Sequence, residues 1–177
     1  KTPAGTLTDV TRFPPAGDRS YGVSPNPIRT ERLVKGPRDL DALAYPCLDL
    51  EPSLRYGCIL TSRGCPYRCT YCAAHMMSVG LRRRDPHNVA DEIAFWQSRG
   101  VTDFAFYDDA LLAQSEAFAV PLFKEIVNRK LDVRFHCPNA LHARFIDPDV
   151  ARWMRLAGFV TLRLGLETAD AQRQVST

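Results

Sequence analysis

The stretch Tyr56-Gly57-Cys58-Ile59-Leu60-Thr61 has the composition of a β-strand, and it opens a region in which strand and helix patterns alternate. Further strand patterns lie at residues 101–107, about 131–136 and 159–164. Helical patterns separate them, and two of these helices begin with Asp85-Pro86 and Asp147-Pro148, an N-cap followed by proline at the first helical position. The resulting β-α-β-α-β-α-β order predicts an α/β fold with a parallel sheet and right-handed crossovers.

After the first unit the strands recur about every 30 residues, as they do in barrels of β/α units. A closed eight-unit barrel takes roughly 250 residues, and about half that number follow position 56. Four strands cannot close a barrel, so we expect an unpaired sheet edge at the fourth strand. The sequence also begins at Lys1 without an initiator methionine. We therefore expect the chain to be a segment of a longer protein.

The first 55 residues differ from the rest, because they contain eight of the thirteen prolines. Proline removes a backbone donor and fixes φ, which excludes a run of helices and central strands. The sequence predicts two regions: residues 1–55 as a proline-rich connector and residues 56–177 as a truncated α/β domain. The connector is expected to be extended and to carry one short helix near residues 38–44. A disordered linker is the alternative interpretation.

Composition and charge exclude several classes of protein. The 177 residues are 45% hydrophobic and carry a net charge of +3, which predicts a folded domain and gives no indication of nucleic-acid binding. No apolar run approaches the roughly 18 residues that span a bilayer, and the first residues do not resemble a signal peptide. We expect a cytoplasmic protein without a membrane partner. The basic run Arg82-Arg83-Arg84 is typical of a solvated surface, with anion binding as the alternative.

Polar side chains follow each predicted strand. Cysteines follow the first strand, Asp108-Asp109 the second, Asn139 the third and Glu167 the fourth. Because the carboxyl ends of parallel strands converge on one face, where ligands bind, we expect these groups to face one another. The alternative is that loops are polar in general, which explains any one of these groups more easily than all four.

Three cysteines lie in the segment Thr61-Ser62-Arg63-Gly64-Cys65-Pro66-Tyr67-Arg68-Cys69-Thr70-Tyr71-Cys72, with the spacing C-x3-C-x2-C. Thiolates are soft ligands that suit iron–sulfur clusters or zinc. Structural zinc requires four ligands, and His75 is the nearest candidate for the fourth, with Cys58 and Cys47 behind it. A [4Fe–4S] cluster held by three cysteines leaves one iron open to another ligand. Both kinds of site remain possible from the spacing.

The cysteine segment resembles the CxxxCxΦC signature of the radical S-adenosylmethionine (SAM) enzymes, with Tyr71 at the aromatic position. Other stretches resemble successive blocks of the subgroup found with an N-terminal cobalamin-binding domain: Tyr45-Pro46-Cys47-Leu48-Asp49-Leu50, Phe106-Tyr107-Asp108-Asp109, Pro138-Asn139-Ala140-Leu141-His142-Ala143-Arg144 and Leu164-Gly165-Leu166-Glu167-Thr168. The resemblance covers roughly residues 37–172.

The resemblance implies a fold and a set of site residues. The fold would be a partial (βα)6 TIM-like barrel, of which this chain holds about the first four βα units. The cluster ligands would be Cys65, Cys69 and Cys72, and the SAM amino and carboxylate groups would chelate the fourth iron. Tyr71 would lie near the adenine, and Asp108 or Asp109 would contact the methionyl amino group. Glu167 would contact the ribose or the methionyl moiety, and Asn139 would line the site.

The activity implied by the resemblance is reductive cleavage of SAM to a 5′-deoxyadenosyl radical, which modifies or methylates a substrate of unknown identity. An electron donor such as flavodoxin or ferredoxin would supply the electron. Cobalamin, bound to a domain upstream of Lys1, is implied by the resemblance alone. A non-catalytic module stabilised by zinc or thiols is the alternative function.

Overall fold

The computed structural model describes residues 39–50, 53, 56–78, 80–170 and 172. Most of the predicted connector (residues 1–55) lies outside the described residues, including all of residues 1–38. The strands are β1 (Tyr56–Ile59), β2 (Ser62–Arg63), β3 (Arg82–Arg83), β4 (Asp103–Phe106), β5 (Arg134–Leu141) and β6 (Phe159–Leu164). The α-helices are α1 (Ala74–Met77), α2 (Pro86–Gln97), α3 (Ala119–Asn128) and α4 (Pro148–Ala157), with single 3-10 turns at Leu48–Leu50 and Ala143–Phe145.

Four strands form a parallel sheet in the order β1-β4-β5-β6, and helices α2, α3 and α4 lie in its three crossovers. The first crossover also holds α1 and the strands β2 and β3. The register places Cys58 beside Ala105, Ala105 beside His136 and His136 beside Thr161. This arrangement confirms the predicted α/β fold with a parallel sheet. The short strands β2 and β3 form a separate antiparallel pair.

The core lies between the sheet and helices α2, α3 and α4. Side chains of alternate strand residues, such as Phe104, Phe106 and Phe135, are buried against it. The ring of Phe106 stacks on Phe159 with 5.6 Å between centroids, and Phe123 of α3 meets Phe159 edge-on at 4.9 Å. Aromatic packing of this kind fixes the helices on one face of the sheet.

Two helix starts agree with the sequence patterns that predicted them. The Asp85 carboxylate accepts hydrogen bonds from the backbone N–H groups at positions 87 and 88, and Asp147 does the same for Val150. Gly158 ends α4 with φ of +101°, a left-handed conformation that favours glycine. These caps are local signals, which is why the sequence alone locates them.

Two local predictions are wrong. Residues 39–44 form a turn, and the helix predicted there is absent: the Asp39 side chain accepts from the Asp41 N–H, and the Asp41 carboxylate accepts from the Asp85 N–H at 2.9 Å. The third strand runs over 134–141 instead of 131–136, because the Leu131 N–H still bonds back to α3. Asn139 therefore lies within β5 and does not follow it.

The outer strand β6 exposes most of its apolar side chains. Phe159 is buried, but Val160, Leu162 and Leu164 are 54%, 46% and 55% exposed. In the described residues β6 pairs with β5 alone, so its other edge is unpaired as expected. No helix within the described ranges is both long enough and apolar enough to cross a bilayer.

Candidate functional site

The cysteine loop, residues 64–81, connects β2 to β3. These two strands pair with each other, and Ser62 lies opposite Arg83. Gly64 begins the loop with φ of +86°, and a Cβ at this position would lie 2.2 Å from the carbonyl oxygen of Gly80. Only glycine accommodates both the left-handed backbone and this close approach. The two ends of the loop are thus held together at its base.

The three cysteines of the signature lie in the first half of this loop. Cys65 and Cys69 are half-buried and Cys72 is exposed. The Cys72 N–H donates to the Cys69 carbonyl at 3.0 Å, and the Cys72 sulfur accepts from the Ala74 N–H at 3.4 Å. A backbone donor therefore points at the Cys72 sulfur, as backbone donors do around iron–sulfur clusters.

The thiols lie within electrostatic reach of one another. Burial raises the pKa of the Cys65 thiol, the nearby Tyr67 N–H opposes this rise, and the charges of Asp109, Cys69 and Cys72 add to it. The Cys65 thiol is therefore protonated at neutral pH until a metal displaces the proton. The three sulfur atoms and the Asp109 carboxylate share one region of the surface.

A single-ion metal site is not formed. No group of three or more His, Cys, Asp or Glu side chains in the described part of the chain is close enough to hold one metal ion. A structural zinc ion needs four such ligands around one centre, and His75 is exposed on α1. A cubane instead places each cysteine on a different iron, so a cluster does not require the three thiols to surround one ion.

The two aspartates after β4 have different surroundings. Asp108 is only 4% exposed, and its carboxylate accepts from the Thr61 N–H at 3.1 Å, the Thr61 hydroxyl at 2.7 Å and the Ser62 hydroxyl at 2.5 Å. Burial raises the pKa of Asp108, and the hydrogen bonds from Ser62 and Thr61 oppose that rise. Asp108 therefore fastens the end of β1 to the end of β4, a contact that no local sequence signal indicates.

Asp109 is exposed and lies near Cys65. Burial alternates along residues 106–110, so the Asp108 side chain faces the interior, whereas the Asp109 side chain is exposed near Cys65. The sequence left open which of the two contacts a ligand, and the structure leaves only Asp109 with an accessible carboxylate.

Tyr71 and Glu167 approach each other across the site. The pKa of Tyr71 is raised to about 12. Loss of hydration is the largest cause, and interactions with the Cys69 thiol and the Glu167 carboxylate add to the rise. Gly165 precedes Glu167 at the end of β6, and its N–H donates to the Leu141 carbonyl at 3.0 Å. The end of β6 is thus tied to β5, and Glu167 lies beside the cysteine loop.

Asn139 has a bridging position in β5. Its side-chain amide donates to the carbonyl oxygen of Tyr107 at 3.0 Å and to that of Asp108 at 3.4 Å. These hydrogen bonds hold the backbone of the segment that follows β4 and contains Asp109. The side-chain amide of Asn139 thus donates its hydrogen bonds to backbone carbonyl oxygens.

The interpretation of residues 82–84 as a solvated basic run is wrong. Arg83 donates to the carbonyl oxygens of Ala110, Leu111 and Ala113, and Arg84 forms a 2.5 Å ion pair with the buried Glu92. Both guanidinium groups therefore fix protein segments. The sequence does not reveal these contacts, because the carbonyl partners of Arg83 are far away in the chain and any residue type can supply a carbonyl.

Residues 59–176 match the family model of the Radical SAM superfamily. This match covers more than half of the chain, and the chain belongs to the radical SAM superfamily. The predicted enzyme class is thereby confirmed, and the [4Fe–4S] cluster and SAM are the cofactors of this superfamily.

Two curated relatives show similar levels of identity. The uncharacterized methyltransferase PH0819 of Pyrococcus horikoshii is 25% identical over 143 residues, which is 75% of this chain and 30% of the relative. The hopanoid C-2 methylase of Rhodopseudomonas palustris is 25% identical over 138 residues, 75% of this chain and 26% of the relative. The chain thus spans less than a third of the length of either relative.

Two solved structures of the radical SAM methyltransferase TsrM from Kitasatospora setae share the fold. The structure with tryptophan and a SAM analogue has a TM-score of 0.62 at 24% identity, covering 71% of this chain and 24% of TsrM. The structure with cobalamin and a [4Fe–4S] cluster has a TM-score of 0.60 at 25% identity, covering 66% and 23%. The predicted resemblance to the cobalamin-associated subgroup is confirmed by these neighbours.

Proposed function

We propose that this chain carries the cluster- and SAM-binding part of an enzyme that cleaves SAM reductively and uses the product radical to modify or methylate a small molecule. The observation that carries the proposal is the closed loop holding Cys65, Cys69 and Cys72 at the carboxyl edge of a parallel sheet. In such sheets this edge is where ligands bind.

The residues present fit the cluster. Cys65, Cys69 and Cys72 supply three soft donors, the Ala74 N–H points at the Cys72 sulfur, and the loop base is closed. When bound and reduced, the cluster would supply the one electron with which the C5′–S bond of SAM is cleaved, giving methionine and a 5′-deoxyadenosyl radical. The protein positions the reactants and excludes competing reactions.

Three side chains would bind SAM. Asp109 has an accessible carboxylate beside the cysteine loop and would attract the methionyl ammonium group. Glu167 lies beside Tyr71 of the cysteine loop and would accept hydrogen bonds from the ribose or the ammonium group. Tyr71, which is 55% exposed, offers a ring surface for the adenine. Asp108 and Asn139 would position Asp109 without touching SAM.

The sheet fits the first four units of a six-unit partial barrel. Val160, Leu162 and Leu164 of β6 are exposed, and an additional strand and helix would cover them. We assign residues 56–177 to this truncated barrel and residues 1–55 to a connector from an upstream domain. The small share of the relatives that the chain covers supports this division.

The similar proteins also support a substrate class and partners. Their names describe methylation of a hopanoid and methyl transfer by TsrM, which was solved with cobalamin bound. We propose methyl transfer to a small organic molecule, with cobalamin on the upstream domain of the full-length protein. A low-potential carrier such as flavodoxin or ferredoxin would donate the electron.

Anaerobic reconstitution of the full-length protein with iron and sulfide tests the proposal. The wild-type protein is expected to turn brown, to contain about four irons per chain, as a [4Fe–4S] cluster requires, and to release 5′-deoxyadenosine from SAM under a strong reductant. Cys69→Ala should lose the colour and the iron. Cys58→Ala, which removes an exposed thiol on β1, is the matched control and should keep both. Full iron content in Cys69→Ala, or a colourless wild-type protein that binds zinc, would contradict the proposal.

A further inference from the structure

A cavity of about 580 Å³ lies between residues 40–48 and strand β1. Its volume is within the range of sites for small molecules, about 300–1,000 Å³. On the side of β1 the wall contains Tyr56, Cys58 and Leu60, and the residues between them are buried. The cavity therefore adjoins the face of the sheet that points away from the hydrophobic core.

The opposite wall, formed by residues 40–48, is held on the domain by side-chain contacts. Leu40 is only 4% exposed, and Leu48 packs against the hydrophobic core. The ring of Tyr45 meets that of Phe95 on α2 edge-on, with 5.5 Å between centroids. The cavity is thus formed by the fold itself, as sites for small molecules usually are.

The lining of the cavity is mostly apolar. Arg84 and Glu92 belong to the lining but pair with each other, and the Ser62 hydroxyl donates to Asp108. Arg63 is exposed and keeps its hydration. Among the described lining residues no buried charge is left unpaired, so nothing would compensate a charged molecule for the water it loses on entry. The chemistry of the walls therefore favours an uncharged molecule.

The cavity continues to the proposed cluster and SAM site. Ser62 and Arg63 line it and lead through one glycine to Cys65. Tyr107 also lines it, two positions before Asp109. A molecule in the cavity would therefore lie next to the base of the cysteine loop and to the segment that carries the accessible carboxylate.

We propose that this cavity binds the substrate of the proposed reaction, and that the substrate is an uncharged, largely apolar small molecule. The inference rests on the proposed function, since it takes the cysteine loop as the site of the cluster. It gives residues 40–48 a role in substrate binding, and it narrows the substrate from small organic molecules in general to apolar ones.

The probe for the test is 4-fluorobiphenyl, an uncharged apolar molecule that is observed by ¹⁹F NMR. It is added to the full-length protein after anaerobic reconstitution, and bound probe is counted by dialysis. We expect about one bound molecule per chain, as a single small-molecule site requires. Reducing the cluster to its paramagnetic state should broaden the ¹⁹F signal of the bound probe, because the cavity adjoins the cluster site.

Two pairs of variants test whether the probe binds in this cavity. Ala44→Trp places an indole ring in the space, and Leu43→Asp places a charge on the wall, so each should weaken probe binding about tenfold or more. Ala42→Trp and Ala42→Asp are the matched controls, because Ala42 is exposed in the same turn and does not line the cavity. Both controls should bind the probe as the wild type does, and all four variants should keep the iron.

Alkylation by N-ethylmaleimide locates the probe independently. The Cys58 thiol lines the cavity, whereas the Cys47 thiol is exposed outside it. A saturating amount of probe should slow the alkylation of Cys58 several-fold and leave the rate at Cys47 unchanged.

The outcomes separate this inference from the proposed function. A cluster-loaded wild-type protein that binds no probe would overturn the inference alone. The same holds for equal probe affinities in Ala44→Trp and Ala42→Trp, for an unprotected Cys58, and for a ¹⁹F signal that does not respond to reduction. A wild-type protein that takes up no cluster would overturn the proposed function, and the inference with it, even if it bound the probe.

Discussion

The neighbouring residues Asp108 and Asp109 have different roles in this site. Asp108 accepts hydrogen bonds from Thr61 and Ser62 in the interior, whereas Asp109 is exposed beside Cys65. The difference comes from backbone alternation after β4 and not from the side chains. Sequence inspection alone could identify the pair but could not choose between its members, because the choice depends on a contact across 47 residues.

The base of the cysteine loop gives a prediction at one residue. Gly64→Ala places a Cβ 2.2 Å from the Gly80 carbonyl oxygen, on top of a left-handed φ of +86°. Backbone atoms cannot give way cheaply, so we expect a loss of more than about 2 kcal/mol in unfolding free energy. Urea unfolding measures this loss, and iron per chain after reconstitution should fall with it.

Gly80→Ala provides the control for Gly64→Ala. Gly80 also has a positive φ, +66°, but a Cβ there would meet no atom within 4 Å. Gly80→Ala is therefore expected to lower the unfolding free energy only by the cost of alanine in a left-handed conformation, about 1 kcal/mol. Equal losses for the two variants would show that the close approach at Gly64 has no influence on stability.

Strands β4 and β5 are joined by side chains as well as by their backbones. The Asp103 carboxylate accepts from Arg134 Nε at 2.8 Å and Nη2 at 2.6 Å, and His136 Nε2 lies 3.0 Å from it. The Arg134 hydrogen bonds lower the pKa of Asp103 well below its ordinary value, against a smaller effect of burial.

The pH dependence of stability follows from this lowered pKa. The stabilising contribution is present above the ordinary aspartate pKa of about 3.9 and is lost as pH falls toward the lower folded value. Since Arg134 is exposed, we expect Asp103→Asn to cost about 0.5–1 kcal/mol at pH 7. The difference from wild type should shrink steadily between about pH 4 and pH 2.

Denaturant unfolding at several pH values measures the Asp103 effect. In an Arg134→Met background, where the main partner is gone, Asp103→Asn should have a smaller effect at pH 7. A difference between Asp103→Asn and wild type that stays constant down to pH 2 would contradict the assigned role of Arg134.

Elements with local signals are predicted well, and those fixed by distant partners are not. The caps Asp85 and Asp147 locate α2 and α4 from a few neighbouring residues. The end of β5 is different: it continues through Pro138, because the ladder with β6 is irregular between Cys137 and Leu141, where a missing N–H is tolerated. Asn139 was consequently expected in a loop, although it lies in a strand.

At the scale of the whole molecule, the site depends on strand order. The cysteine loop follows β1, Asp109 follows β4 and Glu167 follows β6, and these ends meet because all four strands are parallel. The convergence was predictable from the order of elements. The contacts that refine it, from Asn139 to the backbone after β4 and from Arg83 to the carbonyls of 110–113, required the structure.

Because the thiols and the carboxylates come from different strand ends, we expect substitutions of the carboxylates to weaken SAM binding without changing iron binding in the full-length protein. Asp109→Asn and Glu167→Gln remove carboxylates but no thiols, so both variants should keep the wild-type iron content. Each loses one charge-assisted contact to SAM, which we expect to weaken binding about tenfold. Equilibrium dialysis with labelled SAM, under anaerobic conditions, measures the affinity.

Glu116→Gln is the control for these two variants, because Glu116 is an exposed carboxylate in the same segment after β4. It changes the net charge equally and should leave SAM affinity unchanged. A drop in affinity for Glu116→Gln as large as for Asp109→Asn would mean that overall charge attracts SAM. Wild-type SAM affinity in both Asp109→Asn and Glu167→Gln would contradict the proposed role of these carboxylates. The ends of β4 and β6 would then lie close together without forming the SAM site.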